Sequence, residues 1–254
     1  MRESRRLKLV ISYDGRDFAG WQSQKHGSTV QDHLETAFER VCGTRLAVTG
    51  SGRTDSGVHA LGQCAHVDVP AGQFPAERWL KALNGVLPPA IRILRAGFAG
   101  QTFHARFSAK GKVYRYRIIN GAVQPPLEIG RAWHVPSPLD RELLERAAKL
   151  FAGRHDFAAF AANRRKEERS TMRTVEYVQA IGRRGIGRRD LIEIEFSADG
   201  FLYKMVRMMV GEMVRCALGK ESLRSIELRL EQPSRASARF VAPAAGLYLV
   251  RARY

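Results

Sequence analysis

Cysteine is scarce in this sequence, and long apolar runs are missing from it. The 254 residues include three cysteines, Cys42, Cys64 and Cys216, which are odd in number and far apart. They predict neither a disulfide framework nor a paired-cysteine zinc motif, and this usage is typical of a reducing compartment. No apolar run approaches the ~18 residues that a membrane span requires. The first residues are too briefly apolar and too alternating for a signal peptide. We therefore expect a cytoplasmic protein.

Signatures of nucleotide and cofactor chemistry are also missing. The sequence has no Walker loop, no dinucleotide-binding fingerprint and no nucleophile elbow, so nothing in it supports nucleotide hydrolysis, hydride transfer or serine-type acyl transfer. The histidines show no spacing that builds a recognised metal site. They are His26, His33, His59, His66, His104, His134 and His155. We expect no metal and no cofactor.

Acidic residues are few relative to basic ones. Lysine and arginine total 42 against 25 acidic residues, which gives a net charge of +17 and a pI near 10.5. This balance favours a polyanionic partner such as a nucleic acid. An anionic membrane surface is the alternative, but no basic amphipathic anchor or lipidation signal supports it.

Residues 1–108 carry the hydrophobic periodicity of an alternating α and β domain. Alternation predicts the strands, while Thr29 or Ser28 and then Gly43 mark the two ends of the first helix. The predicted order is a strand at Leu7–Tyr13, a helix from Val30 to Gly43, strands at Leu46–Val48 and Gln63–Val69, a helix from Pro75, and a strand at Ile91–Phe98. This β-α-β-β-α-β order is the ferredoxin-like arrangement.

Residues 109–254 repeat that order with little shared sequence. The predicted elements are a strand at Val113–Ile119, a helix at Leu139–Phe151, a hairpin of Thr174–Ile181 and Leu191–Phe196, a helix at Leu202–Leu218, and a strand at Leu247–Ala252. We expect an α+β protein of two ferredoxin-like halves with their sheets side by side. The charged run Asn163–Arg173 is either a basic insertion that touches phosphates or a solvated loop.

The segment Thr49–Ala60, TGSGRTDSGVHA, places a single carboxylate, Asp55, in a glycine-rich loop. Loops on rigid scaffolds often carry catalytic groups, so Asp55 is a candidate catalytic carboxylate. Aspartate between hydroxyl residues in such a loop is also a common turn former, and local chemistry leaves both interpretations open.

Three further stretches have function-like texture. In FHARF at Phe103–Phe107 and in Lys110–Arg117, basic residues alternate with aromatic ones; such strands pair phosphates and stack bases, or form a half-buried strand with a charged outer face. Arg106 is therefore a candidate substrate-binding residue. Arg207 lies among apolar neighbours on a predicted helix and needs an anionic partner there. The third stretch is Pro243–Leu249, and the alternative to a functional role for it is a turn, marked by Gly246, into a core strand.

These motifs together resemble those of the tRNA pseudouridine synthase A family. The matching motifs are YDG at Tyr13–Gly15, GWQ at Gly20–Gln22, GRTDSGVHA at Gly52–Ala60, FHARFSA at Phe103–Ala109, YRYRIIN at Tyr114–Asn120, FLYKMVR at Phe201–Arg207 and GLYLV at Gly246–Val250. They occur in the family's order over essentially the whole chain. Ser56 and Met208 depart from the residues that the family commonly has there.

The resemblance implies a role for several residues. It implies that Asp55 is the catalytic nucleophile, Tyr114 the uracil-stacking residue, Arg207 the partner of the aspartate and Leu247 an apolar wall of the pocket. Arg53 and His59 are then candidate contacts to the flipped nucleotide or its phosphates.

The resemblance further implies the reaction and the partners. The expected activity is conversion of uridine to pseudouridine at positions 38, 39 and 40 of the tRNA anticodon stem and loop, by a homodimer. The route stays open, since Asp55 could attack the sugar or the base, or assist elimination to a glycal. A non-catalytic RNA chaperone or ribosome-assembly factor would show the same basic charge. A metal-dependent nuclease would need a ligand cluster that the sequence does not display.

Overall fold

The computed structural model describes residues 3–25, 27–162, 170–182, 191–233 and 240–254. Most of the basic run that begins at Asn163 therefore lies outside the described residues. The chain divides into two compact units, Met1–Lys110 with Tyr248–Tyr254, and Gly111–Leu247. The sequence put the boundary at residue 108 and left the final strand with the second half, whereas the structure groups Tyr248–Tyr254 with the first unit.

The elements follow one another in a mixed α and β order. They are β1 (Ser4–Tyr13), α1 (Val30–Cys42), β2 (Thr49–Gly50), β3 (His59–Pro70), α2 (Ala76–Val86), β4 (Ile91–Ala99), β5 (Gly111–Asn120), β6 (Trp133–Val135), α3 (Arg141–Leu150), β7 (Gly153–Asp156), β8 (Met172–Gly182), β9 (Leu191–Ala198), α4 (Met205–Ala217), α5 (Leu223–Glu231) and β10 (Leu247–Arg253). The expected α+β class is confirmed.

The sheet of the first unit has the strand order β4-β1-β3-β10. β1 is antiparallel to both of its neighbours, and β10 runs parallel to β3 with Tyr248 opposite His59. Alternate residues of β1 enter the core, where Phe38 of α1 contacts Trp79 of α2. The fully buried members of this core include Leu7, Leu9, Ile11, Leu34, Phe38, Trp79 and Leu83. The other face of the sheet carries Lys8 opposite His66.

The predicted strand at Leu46–Val48 is wrong. The N–H of Val48 donates to a carboxylate oxygen of Glu35 on α1 at 3.2 Å and so does not enter a strand ladder. Pairing with β3 begins only afterwards, with Thr49 opposite His66 and Gly50 opposite Ala65. The second strand of the predicted order is therefore present, but it is the first two residues of the glycine-rich segment itself.

The second unit contains the strand order β5-β9-β8-β7, with β6 parallel to β5. Its core is rich in aromatic rings and methionine, including Tyr116, Phe151, Phe157, Phe160, Phe196, Met209 and Met213. α4 begins three residues after the predicted start at Leu202, because Lys204 adopts a left-handed conformation with φ of 60° and cannot belong to a right-handed helix. The sequence reasoning missed α5, which Ser222 caps through the N–H of Ser225.

The basic residues of β5 form ion pairs within the second unit. Arg115 lies 3.1 Å from a carboxylate oxygen of Glu195 on β9, and Arg117 lies 3.0 Å from Glu128 and 3.4 Å from Glu193. The strand was expected either to contact RNA or to be half-buried with a charged outer face. These two arginines fit the second interpretation. Among the helices in the described ranges, none has the length and apolar content that crossing a membrane requires.

Candidate active site

The Asp55 loop connects β2 to β3 and is fastened at both ends to the sheet. The Ser51 N–H donates to the Cys64 carbonyl at 2.7 Å, and the Ser51 hydroxyl donates to Gln63 Oε1 at 2.6 Å. Gln63 Nε2 returns a bond to the Gly52 carbonyl at 2.8 Å. Because Gln63 is fully buried, this pairing also satisfies its amide. The loop therefore leaves the sheet at a defined point.

Asp55 itself is half-buried, at the start of a turn. The Val58 N–H donates to the Asp55 backbone carbonyl at 3.1 Å, which closes the turn. Any residue at position 55 can supply that carbonyl. This hydrogen bond therefore does not depend on the carboxylate of Asp55.

The two opening motifs hold the same loop from the other side. The hydroxyls of Tyr13 and Thr54 are 2.8 Å apart in a buried hydrogen bond. The Trp21 N–H donates to the Thr54 carbonyl at 3.1 Å, and the Ser56 hydroxyl donates to the Phe18 carbonyl at 3.2 Å. The residues on either side of Asp55 are thus bonded, so the backbone that carries Asp55 is held in place.

Glycine is required where these motifs approach the loop. A Cβ on Gly15 would overlap the carbonyl oxygen of Val58, and a Cβ on Gly20 would lie 2.6 Å from the carbonyl oxygen of Thr54. Gly20 also has φ of +95°, a conformation that residues with side chains avoid. The glycines of the YDG and GWQ motifs therefore permit this close backbone contact.

His59 supports the loop from inside. Its side chain is 3% exposed, and its Nδ1 accepts the N–H of Gly15 at 3.1 Å. The same Nδ1 lies 3.3 Å from Oδ1 of Asp14. The ring stacks on Tyr248 with centroids 4.6 Å apart. Arg53, in contrast, is exposed, and its Nε donates to Gln22 Oε1 at 3.0 Å.

The carboxylate of Asp14, next to this contact, has a shifted pKa. Burial by itself raises the pKa of Asp14, but hydrogen bonds from the Arg16 side chain and backbone outweigh it and hold the pKa at about 2. Burial also raises the pKa of Tyr13 well above its ordinary value. At neutral pH Asp14 is therefore ionised and Tyr13 is a neutral hydrogen-bonding group.

In the second unit, Tyr114 and Leu247 are buried apolar groups, 8% and 6% exposed. The Tyr114 ring on β5 meets Phe201 edge to face, with centroids 5.1 Å apart. Tyr116 lies two residues after Tyr114 on β5, and its hydroxyl donates to the Pro243 carbonyl at 2.7 Å. This bond ties the segment that leads into Leu247 to the strand that carries Tyr114.

Arg207, near the start of α4, is held by the same segment. Its Nε donates to the Ala242 carbonyl at 2.7 Å, and the Ala242 N–H donates to the Arg207 carbonyl at 3.0 Å. The charge of Arg207 also acts on Tyr116, whose pKa burial raises and this guanidinium lowers. The structure thus brings Tyr116, Arg207 and the segment before Leu247 together within the second unit.

Arg106 lies outside the Asp55 loop, in the segment between β4 and β5. The N–H of its neighbour Ala105 donates to Nδ1 of His66 at 3.1 Å, seven residues along β3 from His59. At the rise of a β-strand that separation is about 23 Å. In the described residues, no group of three or more histidine, cysteine, aspartate or glutamate side chains is arranged to hold a metal ion.

Comparison with protein families decides the identity of this chain. The family model described as tRNA pseudouridine synthase matches residues 9–108 and 147–254. The chain belongs to the tRNA pseudouridine synthase family. The resemblance seen in its motifs is confirmed, as is the pseudouridine synthase fold, and the chain is an isomerase.

Several curated relatives of this pseudouridine synthase are similar over almost their whole length. Proteins named tRNA pseudouridine synthase A from Akkermansia muciniphila and Rhodospirillum rubrum are 44% and 41% identical, over 98% of this chain and 95% and 87% of their own. One from Acetivibrio thermocellus is 41% identical over 98% of this chain and 100% of its own. A chain of a solved Cbf5-Nop10-Gar1 complex aligns with 100% of this chain and 57% of its own length, at a TM-score of 0.30 and 12% identity.

Proposed function

We propose that this pseudouridine synthase converts uridine to pseudouridine at positions 38, 39 and 40 in the anticodon stem and loop of tRNA, with Asp55 as the nucleophile. The observation that carries the proposal is the Asp55 loop, in which both neighbours of Asp55 are hydrogen-bonded to residues of the segment Tyr13–Trp21. The names of the relatives support tRNA as the substrate.

The reaction suits a site built around one carboxylate. Isomerisation breaks the carbon–nitrogen glycosidic bond, rotates the uracil and rejoins it to the sugar through carbon, so reactant and product have the same atoms. Asp55 would attack the anomeric carbon of the sugar or carbon 6 of the base, or assist elimination to a glycal. Each route begins with an ionised carboxylate close to a nucleotide that has left its stack.

The remaining site residues have proposed roles that follow from their chemistry. Tyr114 and Leu247 would pack on the two faces of the flipped uracil, since both are largely apolar. Arg207 would keep Asp55 ionised and oriented, because a nearby opposite charge favours the charged form of an acid. Arg53, exposed in the same loop as Asp55, is the proposed contact to the flipped nucleotide or its phosphates. His59 would act by positioning the loop rather than by touching RNA.

The proposed partners are tRNA and a second copy of the chain, and the proposed location is the cytoplasm. A net charge of +17 supports recognition through phosphates and shape, which tolerates several neighbouring target uridines. Affinity for tRNA should then fall steeply as salt is added. Arg106 is proposed as one of the residues that bind tRNA.

The test is to incubate the protein with unmodified tRNA transcript in the presence of a chelator and to map pseudouridine. Asp55→Asn should bind the transcript and form no product, while Asp17→Asn, an exposed acid in the same unit, should form product at the parental rate. Binding without product from the parent would favour the RNA-chaperone alternative, and cleavage that a chelator abolishes would favour a nuclease. Unfolding of Asp55→Asn would return Asp55 to a structural role.

A further inference from the structure

The FHARF segment presents an aromatic ring to solvent from a tightly bonded turn. Phe107 is 77% exposed, and its ring stacks on that of His104 with centroids 4.3 Å apart and an interplanar angle of 29°. The guanidinium carbon of Arg106 lies 5.7 Å from the same ring. We refer to His104, Arg106 and Phe107 as the Phe107 platform.

The turn that carries this platform is fixed by its own hydrogen bonds. His104 Nδ1 accepts the N–H groups of both Arg106 and Phe107 at 3.2 Å. The His104 N–H donates to the Ser108 hydroxyl at 3.0 Å, and the Ser108 N–H donates to the His104 carbonyl at 2.9 Å. The imidazole under Phe107 is therefore held in one orientation.

The turn is also anchored to the body of the first unit. Fully buried Ala105 donates its N–H to His66 Nδ1 at 3.1 Å and accepts the Tyr254 hydroxyl at 2.7 Å. Phe103 of the same segment packs on Tyr254, with centroids 5.0 Å apart. One phenylalanine of the segment thus packs inward, while Phe107 is held outward on a rigid support.

The charge around the platform favours an anionic partner. From Arg78 to Lys110, inclusive and all in the first unit, the sequence contains six lysines and arginines and no aspartate or glutamate. Asp68, across the sheet from Arg6, is bound by that arginine through two bonds of 2.8 Å. An exposed aromatic stack beside an arginine, in a stretch of sequence without acidic residues and near a neutralised Asp68, matches the chemistry of an unpaired RNA base and its phosphate.

We propose that the Phe107 platform stacks an unpaired base of the RNA substrate, with Arg106 contacting the adjoining phosphate. This proposal rests on the proposed function, because it assumes an RNA substrate. His66, which anchors the platform, is about 23 Å along β3 from His59 at the end of the Asp55 loop. The platform is anchored at His66 and the end of the Asp55 loop lies at His59, so the platform would be a second point at which the RNA substrate is held.

The test is binding of unmodified tRNA transcript at several salt concentrations. Phe107→Ala should lose one base stack, so its dissociation constant for the transcript should be roughly 5- to 150-fold larger than that of the parent. The slope of log affinity against log salt should not change, because no phosphate contact is lost. Phe107→Trp should restore affinity. Arg106→Ala should instead reduce the magnitude of the slope by about 0.7 to 0.9, because a phosphate contact is lost. Leu127→Ala is the matched control, since Leu127 is an 81% exposed apolar residue of the second unit.

Parental affinity for tRNA in Phe107→Ala would overturn the proposal. So would a loss of affinity in Phe107→Trp or in Leu127→Ala as large as that in Phe107→Ala. A change in the mass of the protein in solution on Phe107→Ala would show that the platform contacts protein instead. Product from the parental protein is scored separately. If the parent forms pseudouridine and Phe107→Ala binds tRNA with parental affinity, the proposed function stands and the platform is rejected. If Phe107→Ala binds more weakly but the parent forms no product, the platform stands and the proposed function is rejected.

Discussion

Arg207 and Ala242 exchange two hydrogen bonds, one through each backbone carbonyl. The Arg207 side chain donates its Nε–H to the Ala242 carbonyl at 2.7 Å, and the Ala242 N–H donates to the Arg207 carbonyl at 3.0 Å. Because Nε lies in the plane of the guanidinium, the first bond orients the whole group. The orientation of the Arg207 guanidinium is thus set by Ala242, which lies 35 residues later in the chain.

Arg207→Lys should lower the rate of pseudouridine formation at least 100-fold, a loss comparable to removing one preorganised donor. Lysine keeps the charge but cannot bond Ala242 through Nε while presenting a planar fork. The measurement is single-turnover product formation on unmodified tRNA. Arg146→Lys, an exposed position on α3, is the control and should retain parental activity. Near-parental activity in Arg207→Lys would remove the need for an oriented guanidinium.

Tyr13→Phe should impair the Asp55 loop through Thr54. It removes the buried 2.8 Å hydroxyl pair and should lower the free energy of unfolding by about 1 kcal/mol. Tyr177→Phe is matched to it, because the Tyr177 hydroxyl donates to Glu195 at 2.8 Å in the second unit. Both should lower stability in urea, but only Tyr13→Phe should slow product formation, by roughly tenfold. Equal activity in the two variants would refute a positioning role for Tyr13.

Gly20→Ala should cost more stability than an alanine at another left-handed glycine. Gly72 has φ of +74° and nothing within 4 Å of a built Cβ, so Gly72→Ala should cost only the backbone strain of about 1 kcal/mol. Gly20→Ala adds the contact with Thr54 at 2.6 Å and should cost more than ~2 kcal/mol. Urea midpoints of the two variants check this. Similar midpoints would mean that the Asp55 loop can move away from a Cβ at position 20 at little cost in free energy.

Asp14 should contribute stability that depends on pH in the acid range. Its folded-state pKa of about 2 lies below the ordinary value, so its contribution is complete above about pH 4 and is lost as pH falls through about 2. The melting temperature of Asp14→Asn should therefore lie below that of the parent at pH 5 to 6, with the gap closing toward pH 2. Asp17→Asn provides the control for removing one negative charge. A gap that stays constant with pH would contradict the assignment.

Lys204→Gly should stabilise the protein. Lys204 has φ of 60°, which costs a residue with a side chain roughly 1 kcal/mol that glycine avoids. The free energy of unfolding should rise by less than about 1 kcal/mol, because the greater flexibility of glycine in the unfolded chain offsets part of the relieved strain. Chemical denaturation measures this change. Gly219→Ala, which creates strain where φ is +68°, is the reverse control and should lower the free energy of unfolding.

Local patterns were sufficient to predict most elements of the fold. Alternation over β1 and the helical spacing of α1 are written in adjacent residues, and Gly43 ends α1 in the left-handed conformation that its identity predicts. One wrong prediction, the strand at Leu46–Val48, has its cause in another element: a glutamate on α1 takes the N–H of Val48 that a strand would have used. The start of α4 was misplaced for a local reason, the left-handed conformation of Lys204.

The sequence by itself determined the periodicity of the elements, the excess of positive charge and the motif around Asp55 that marks the family. Only the tertiary structure decided which side chains support that motif. Tyr13, Gly15 and Gly20 precede the loop by more than thirty residues, yet they hold it by contacts of a few ångströms. It also decided that Arg115 and Arg117 pair with glutamates, while Phe107 is turned to solvent. Such choices depend on which groups meet across strands, and spacing along one strand contains no information about its neighbours.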